Sequence, residues 1–326
     1  MRILSGVQPT GNLHIGNYFG AIRQFVELQR DEANECLYFI ADLHAMTTIH
    51  DGGELRANTR MVATDFIALG LDPARSILYR QSDVPEVTEL AWMLSTVTPM
   101  GLLQRGHSYK DKIARGITPN HGLFAYPVLM AADILIVRSD RVPVGRDQKQ
   151  HLEMTRDIAA AFNQVYGEPV LTVPEELILP EVAVVPGVDG NKMSKSYGNT
   201  LEIFAPENVL KKKVMSIVTD STPVEEPKPT QGNSLYALLK LFTPEAAWPE
   251  ARRCFTEGGT GYGEIKKRLL GGILDTFGEA RRRREELFAD PGYVEAVLRD
   301  GRQRAMVHIE RVMADCRRLS GLGPGR

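Results

Sequence analysis

The first 82 residues alternate between two periodicities, and that alternation restricts the fold more than any other feature of the chain. Residues 2–7, 36–41 and 76–81 read as short apolar strands. Between them a helix begins near Asn17, with Ile22, Phe25, Val26 and Gln29 along one stripe. A second helix spans 54–69, until Gly70 and the Asp72-Pro73 pair stop it. Strand–helix–strand–helix–strand implies a parallel sheet with right-handed crossovers. In such sheets ligands sit beyond the carboxyl ends of the strands, and the loop 8–17 lies at one of those ends.

Further along, helices are expected over 86–97 and 123–137, the second bent by Pro127. An extended piece at 142–145 leads into a helix over 147–166. Pro174, Pro180 and Pro186 punctuate the next stretch, and Gly187, Gly190 and Gly198 bracket a polar loop. Beyond Asn199 the pattern is helical, at 236–242, 265–277, 279–288 and 294–316, with no convincing strand. The expected fold is α/β: a parallel-sheet domain over residues 1–200, then an all-helical domain over 201–326 with a frayed Gly-rich end. A length of 326 residues suits two domains.

Composition excludes several classes. The 43% apolar and 25% charged fractions are those of a globular chain rather than a disordered one. The longest near-apolar run, 124–137, contains Pro127 and Asp133 and falls short of the ~20 residues a bilayer requires. The opening residues carry no secretory pattern. Cys36, Cys254 and Cys316 are odd in number and form no CxxC pair, which argues against a disulfide framework or a structural zinc and fits a reducing cytoplasm. The net charge of −2 does not point to nucleic acid, yet 14 Lys and Arg face 10 Asp and Glu from Gly261 onward. The runs Arg281–Arg284 and Lys211–Lys213 read either as solvated helix faces or as a phosphate-backbone contact surface.

Three groups of residues can carry chemistry. Gln8-Pro9-Thr10-Gly11-Asn12-Leu13-His14-Ile15-Gly16-Asn17 joins a strand to a helix N-terminus, where free backbone N–H groups and the helix dipole attract phosphate. Thr10 and His14 can donate to a phosphate oxygen, and Gly16 removes a Cβ where a base or ribose can approach; a capped strand-to-helix turn reads equally well. Asn191-Lys192-Met193-Ser194-Lys195-Ser196 puts two lysines three apart in a Gly-bracketed loop. Such a loop either closes over a polyphosphate or is plain surface. Asp133 lies in an apolar helix, where a carboxylate without a partner is costly. It either pairs locally or accepts from a buried donor such as an indole N–H, with Met130 one turn earlier. Asp147 after Gly145 reads as a helix cap.

The two signature loops together resemble the class I aminoacyl-tRNA synthetases. His14-Ile15-Gly16-Asn17 is similar to that class's HIGH signature, and Lys192 to Ser196 reads KMSKS letter for letter. Asn17 departs from the signature's last His but is similar to the tryptophan branch. So are Ser5 to Gly11, Asp42 to Thr47, Met130 to Ile134 and Val144 to His151. The resemblance to the bacterial tryptophanyl-tRNA synthetases runs from about residue 2 to 220. It implies a Rossmann-like catalytic domain, a helical anticodon-binding domain, a homodimer, and ATP, L-tryptophan and tRNA as partners. Mg²⁺ would bridge the ATP phosphates with few protein ligands.

By resemblance His14, Lys192 and Lys195 are catalytic. Gln8, Pro9, Thr10, Gly16, Asn17, Gly145, Arg146, Asp147, Val185, Met193, Ser194 and Ser196 join those lysines around ATP, and the backbone at 184–185 lies along adenine. Asp133, Met130, Tyr126, Gln148 and His44 form the tryptophan pocket, His44 reading equally as a core histidine. Lys110 and Lys112 reach the phosphates or are solvated. A site built on a hydrogen bond rejects a substrate lacking that group by roughly 10⁴–10⁵, so phenylalanine is refused. The rivals are a tyrosyl enzyme, a small-molecule nucleotidyltransferase and a catalytically silent RNA-binding paralogue. Asp133 and Val144 to His151 tell against the first, the KMSKS loop and long helical part against the second, and intact His14, Lys192 and Lys195 against the third.

Overall fold

A computed structural model describes residues 1–106, 120–144, 149–178 and 185–323 of the chain. Five strands form one all-parallel sheet: β1 (Arg2–Val7), β2 (Glu35–Ile40), β3 (Ile77–Arg80), β4 (Arg141–Val144) and β5 (Glu175–Ile178), in the spatial order β3-β2-β1-β4-β5. The chain winds outward from β1 to β3, then returns to place β4 on the other side of β1. The gap between the carboxyl ends of β1 and β4 is therefore the topological switch point, where parallel sheets bind ligands. The register β1–β2 runs from Arg2 opposite Glu35 to Val7 opposite Ile40.

β2 reads as an unbroken apolar run because both faces of the sheet are covered. On one face Cys36, Tyr38 and Ile40 pack with Phe19, Ile22, Val62 and Phe66. These last come from the helical run at residues 15–28, here α1, and from α3 (Gly52–Ala68); α2 (Asp42–Ala45) lies between them. On the other face Leu37 and Phe39 pack with Leu90, Leu94, Leu135 and Phe162. Those side chains come from α4 (Glu86–Ser95), α6 (His121–Ile136) and α7 (Lys149–Tyr166), with the short α5 (Met100–Gln104) beside them. Pro127 sits inside α6, where it has no N–H to give the Leu123 carbonyl.

The expected helical part contains α8 (Glu207–Met215), α9 (Ser234–Leu241), α10 (Trp248–Thr256), α11 (Tyr262–Ala289) and α12 (Pro291–Ser320). Expectation and structure differ at several places. The helices expected at 265–277 and 279–288 are one continuous α11, because Gly278 stands in open space and nothing diverts the chain there. Helix α8 hides behind Lys211–Lys213, and α10 behind Pro249, which sits in its first turn where proline is tolerated. Edge strand β5 carries only two apolar residues after Pro174. The first helix starts at Ile15 rather than Asn17 and passes through a π-helical stretch, Tyr18–Ile22.

The last helix does not stay with the other C-terminal helices. Val294 and Leu298 share the core that holds α11, whereas Ala305, Ile309, Val312 and Met313 share the core on the opposite face of the sheet. Between these halves α12 passes the free edge of β3. Gly301 makes that passage possible: a Cβ there would lie 1.9 Å from the Leu78 carbonyl oxygen. Covering an edge strand with a helix removes a template for wrong pairing. No helix among the described residues is long and apolar enough to cross a membrane. All three cysteines are buried free thiols.

Candidate active site

The loop after β1 is built around His14. Its backbone N–H donates to Asn17 Oδ1 at 3.0 Å, and the Asn17 N–H donates back to His14 Nδ1 at 3.3 Å. This reciprocal pair is a capping box with His in place of Ser or Thr. The departure at Asn17 thus has a physical use, since its amide oxygen closes the box. Because Nδ1 accepts, the proton of the neutral ring resides on Nε2. Burial first, and the Lys195 ammonium second, lower the His14 pKa to about 4. Gly16 supports the same ring, for a Cβ there would stand 3.0 Å from His14 Cε1 and Nδ1.

The second loop is stitched by Asn199. Its amide oxygen accepts from the Ser194 N–H at 2.8 Å, and its amide nitrogen donates to Asp189 at 2.7 Å and to the Lys192 carbonyl at 3.1 Å. Met193 is buried, and its N–H donates to the Val185 carbonyl. Ser194 and Ser196 hydroxyls lie 2.9 Å apart, while Lys192 is exposed. Lys195 reaches across to the first loop, donating to the Thr10 and Gly11 carbonyls at 3.0 and 3.1 Å. Desolvation there lowers its pKa. Residues 201–203 complete the link: Ile15 N–H donates to the Leu201 carbonyl, Ile203 N–H to the Leu13 carbonyl, and Asn12 to Glu202 at 2.9 Å. Two loops nearly 180 positions apart in sequence therefore form one body.

Beside them, at the switch point, is a cavity of about 310 Å³ lined by Gln8, His44, Tyr126, Met130 and Asp133, with Gly6 and Val142 from β1 and β4. Asp133 is fully buried in α6, and its partners are remote rather than local. Gln81 Nε2 donates to both carboxylate oxygens at 2.8 and 2.9 Å, and His44 Nε2 lies 2.8 Å from Oδ2. Gln81, not singled out in the sequence, is itself fully buried and accepts the Leu43 N–H on Oε1. Its position just past β3 was the available signal. Burial raises the Asp133 pKa, against the lowering by His44 and Gln81. Three donor contacts on two oxygens leave acceptor capacity on Oδ1. Tyr126 Oη lies 2.6 Å from His151 Nε2. Gly145, Arg146, Asp147, Gln148, Lys110, Lys112 and Val184 lie outside the described residues.

The basic runs are not solvated faces throughout. Arg281 and Arg284, three apart and so on one side of α11, turn inward to the Ile203 and Ala205 carbonyls and to Asp65. Arg282 pairs with Glu279 and Glu286 on the outside, and Lys213 donates to the Gly198 carbonyl at 3.0 Å. No group of three or more His, Cys, Asp or Glu stands ready for a metal ion among the described residues.

Residues 1–257 match the family described as tRNA synthetases class I (W and Y), and the chain belongs to it. It is an ATP-using aminoacyl-tRNA synthetase with a Rossmann-like sheet. A tryptophan–tRNA ligase of Fusobacterium nucleatum is 55% identical to it over 312 residues, 95% of each chain. One of Rhodopirellula baltica is 50% identical over 99% of this chain and all of that one. The crystal structure of the Campylobacter jejuni tryptophanyl-tRNA synthetase complexed with ADP and tryptophan matches with a TM-score of 0.93 at 48% identity, covering 99% of this chain and 100% of that one.

Proposed function

We propose that this chain is a tryptophan–tRNA ligase. It activates L-tryptophan with ATP to tryptophanyl-adenylate and pyrophosphate, then transfers tryptophan to the 3′-terminal adenosine of tRNA(Trp). The observation that carries the reading is Asp133, a buried carboxylate with acceptor capacity left, lining the cavity beside the joined signature loops. An indole N–H only donates, and such a carboxylate answers it. Met130, Tyr126 and His44 line the same cavity around the ring, and His44 also holds Asp133. Gln148 is assigned to the amino-acid side.

In the first step a tryptophan carboxylate oxygen attacks the α-phosphorus as the bond to the pyrophosphate oxygen breaks. No protein nucleophile takes part, so positioning and charge stabilisation carry the rate. His14 offers Nε2–H to a phosphate oxygen as a neutral donor. Lys195 leaves two neutral carbonyls for the developing charge on pyrophosphate, and Lys192 approaches from the exposed arm of the loop. On the same reading the ATP contacts are assigned to Gln8, Pro9, Thr10, Gly16, Asn17, Gly145, Arg146, Asp147, Val185, Met193, Ser194 and Ser196. In the second step the 2′-hydroxyl of the terminal adenosine attacks the aminoacyl carbonyl and AMP leaves.

Among the described residues the joined loops offer ammonium and imidazole donors and no group of three or more His, Cys, Asp or Glu placed for a metal ion, a donor set that suits Mg²⁺ carried on the ATP phosphates. When bound, that ion would neutralise phosphate charge. The division near residue 200, with anticodon reading in the helical part, a homodimer and a cytoplasmic setting belong to the same reading. ATP–pyrophosphate exchange without tRNA, run with each of the twenty amino acids, tests it. Exchange with tryptophan alone is expected. Exchange with tyrosine would overturn the specificity, and exchange with none would overturn the reaction.

A further inference from the structure

The inward-facing arginines of α11 grip the segment that joins the two signature loops. Residues 201–203 pair with Leu13 and Ile15 of the first loop and follow directly on the second. Arg281 donates both terminal nitrogens to this segment, one to the Ile203 carbonyl and one to the Ala205 carbonyl. Arg284 is layered between two rings, 4.4 Å from the Phe204 centroid and 4.7 Å from that of Phe288. Its Nε also donates to Asp65 Oδ1 at 2.5 Å. Asp65 belongs to α3, is fully buried, and has no partner for Oδ2. A polar cavity of about 130 Å³ lies between this pair, Asn12 and Glu202. A guanidinium that is planar, stacked and bonded at its edge has little freedom left to lose, so the segment is held from three sides: α3, α11 and the His14 loop.

We propose that Arg281 and Arg284 are positioning residues for adenylate formation, clamping residues 203–205 so that Lys195 stands at the correct distance from the His14 loop. The clamp rests on the reaction proposed above. Neither arginine touches the reacting atoms; each acts through the backbone that carries the lysine loop. A displacement of about 1 Å in a catalytic group can cost about 10²-fold in rate, so loosening this clamp matters to chemistry as well as to stability.

The test is a double-mutant cycle on the full-length enzyme. Arg284→Gln is made alone and together with Lys195→Ala, and single-turnover adenylation is measured per folded molecule alongside thermal unfolding and the KM for tryptophan. Arg284→Gln is expected to lower the rate by about tenfold to 10²-fold, with the tryptophan KM unchanged. In the Lys195→Ala background the same change should cost nothing further, while the loss of unfolding temperature should match in both backgrounds. Arg284→Lys keeps the charge on Asp65 but loses the layered contact and should recover part of the rate. A rate unchanged beside lowered stability, or the same fold-loss in both backgrounds, overturns the clamp. If Arg284→Gln fails to fold, Arg281→Lys reads the same coupling. An unmodified enzyme that lacks tryptophan-dependent exchange overturns the reaction instead; an active one indifferent to these changes overturns the clamp alone.

Discussion

At the scale of single residues, the proposed chemistry rests on His14 and Lys195. A His pKa lowered to about 4 has a definite sign in linkage. Between that value and 6.5 the folded protein binds fewer protons than the unfolded chain, so stability is full above 6.5 and lost as pH falls through this window. We expect the His14 ring to titrate near pH 4 by NMR and the adenylation rate to show no His14 break between about pH 5 and 8. A midpoint near the free value would mean that the ring is not buried against the second loop. Lys195→Ala should lower the adenylation rate about 10²–10³-fold, the scale for one transition-state donor, and leave tryptophan affinity nearly unchanged. Weakened tryptophan binding at an undiminished single-turnover rate would remove Lys195 from that role.

At the scale of elements, the passage of α12 past β3 depends on one missing methyl group. Gly301→Ala would set a Cβ 1.9 Å from the Leu78 carbonyl oxygen, which is backbone and cannot swing aside. Forced overpacking costs about 1–3 kcal/mol, occasionally more, and this site belongs at the upper end. Chemical denaturation should show that loss, while exchange activity per folded molecule is kept because Gly301 packs on β3 and belongs to neither signature loop. Little or no loss would mean that the helix lifts off the strand without penalty. The elements also show what periodicity can and cannot read. β1 was legible to the residue, and β2 and β3 to within one at each end, because strands buried on both faces appear as bare apolar runs. β5 was not legible, since an edge strand with Glu175 and Glu176 has no such run.

At the scale of the whole molecule, the sheet is finished only when the last helix is laid across it. A chain ending at Ala289 would uncover the β3 edge and the faces packed by Ala305, Ile309, Val312 and Met313. Open edges and large apolar patches promote association. We expect such a truncation to aggregate on size-exclusion chromatography and to lack exchange activity. A monodisperse, active truncation would show α12 to be dispensable.

The positions of the first four strands, the two signature loops and the buried Asp133 were determined by the sequence alone, because each is written in adjacent residues or in a short period. The tertiary structure decided the rest. It brought Gln81 and His44 to Asp133 from 52 and 89 positions away, set Lys195 on the Thr10 and Gly11 carbonyls, and turned two arginines of a charged run inward while a third stayed outside. Those choices depend on which groups meet when distant segments are buried together. Local pattern carries no term for that, whereas burial gives every polar group it encloses a partner to find.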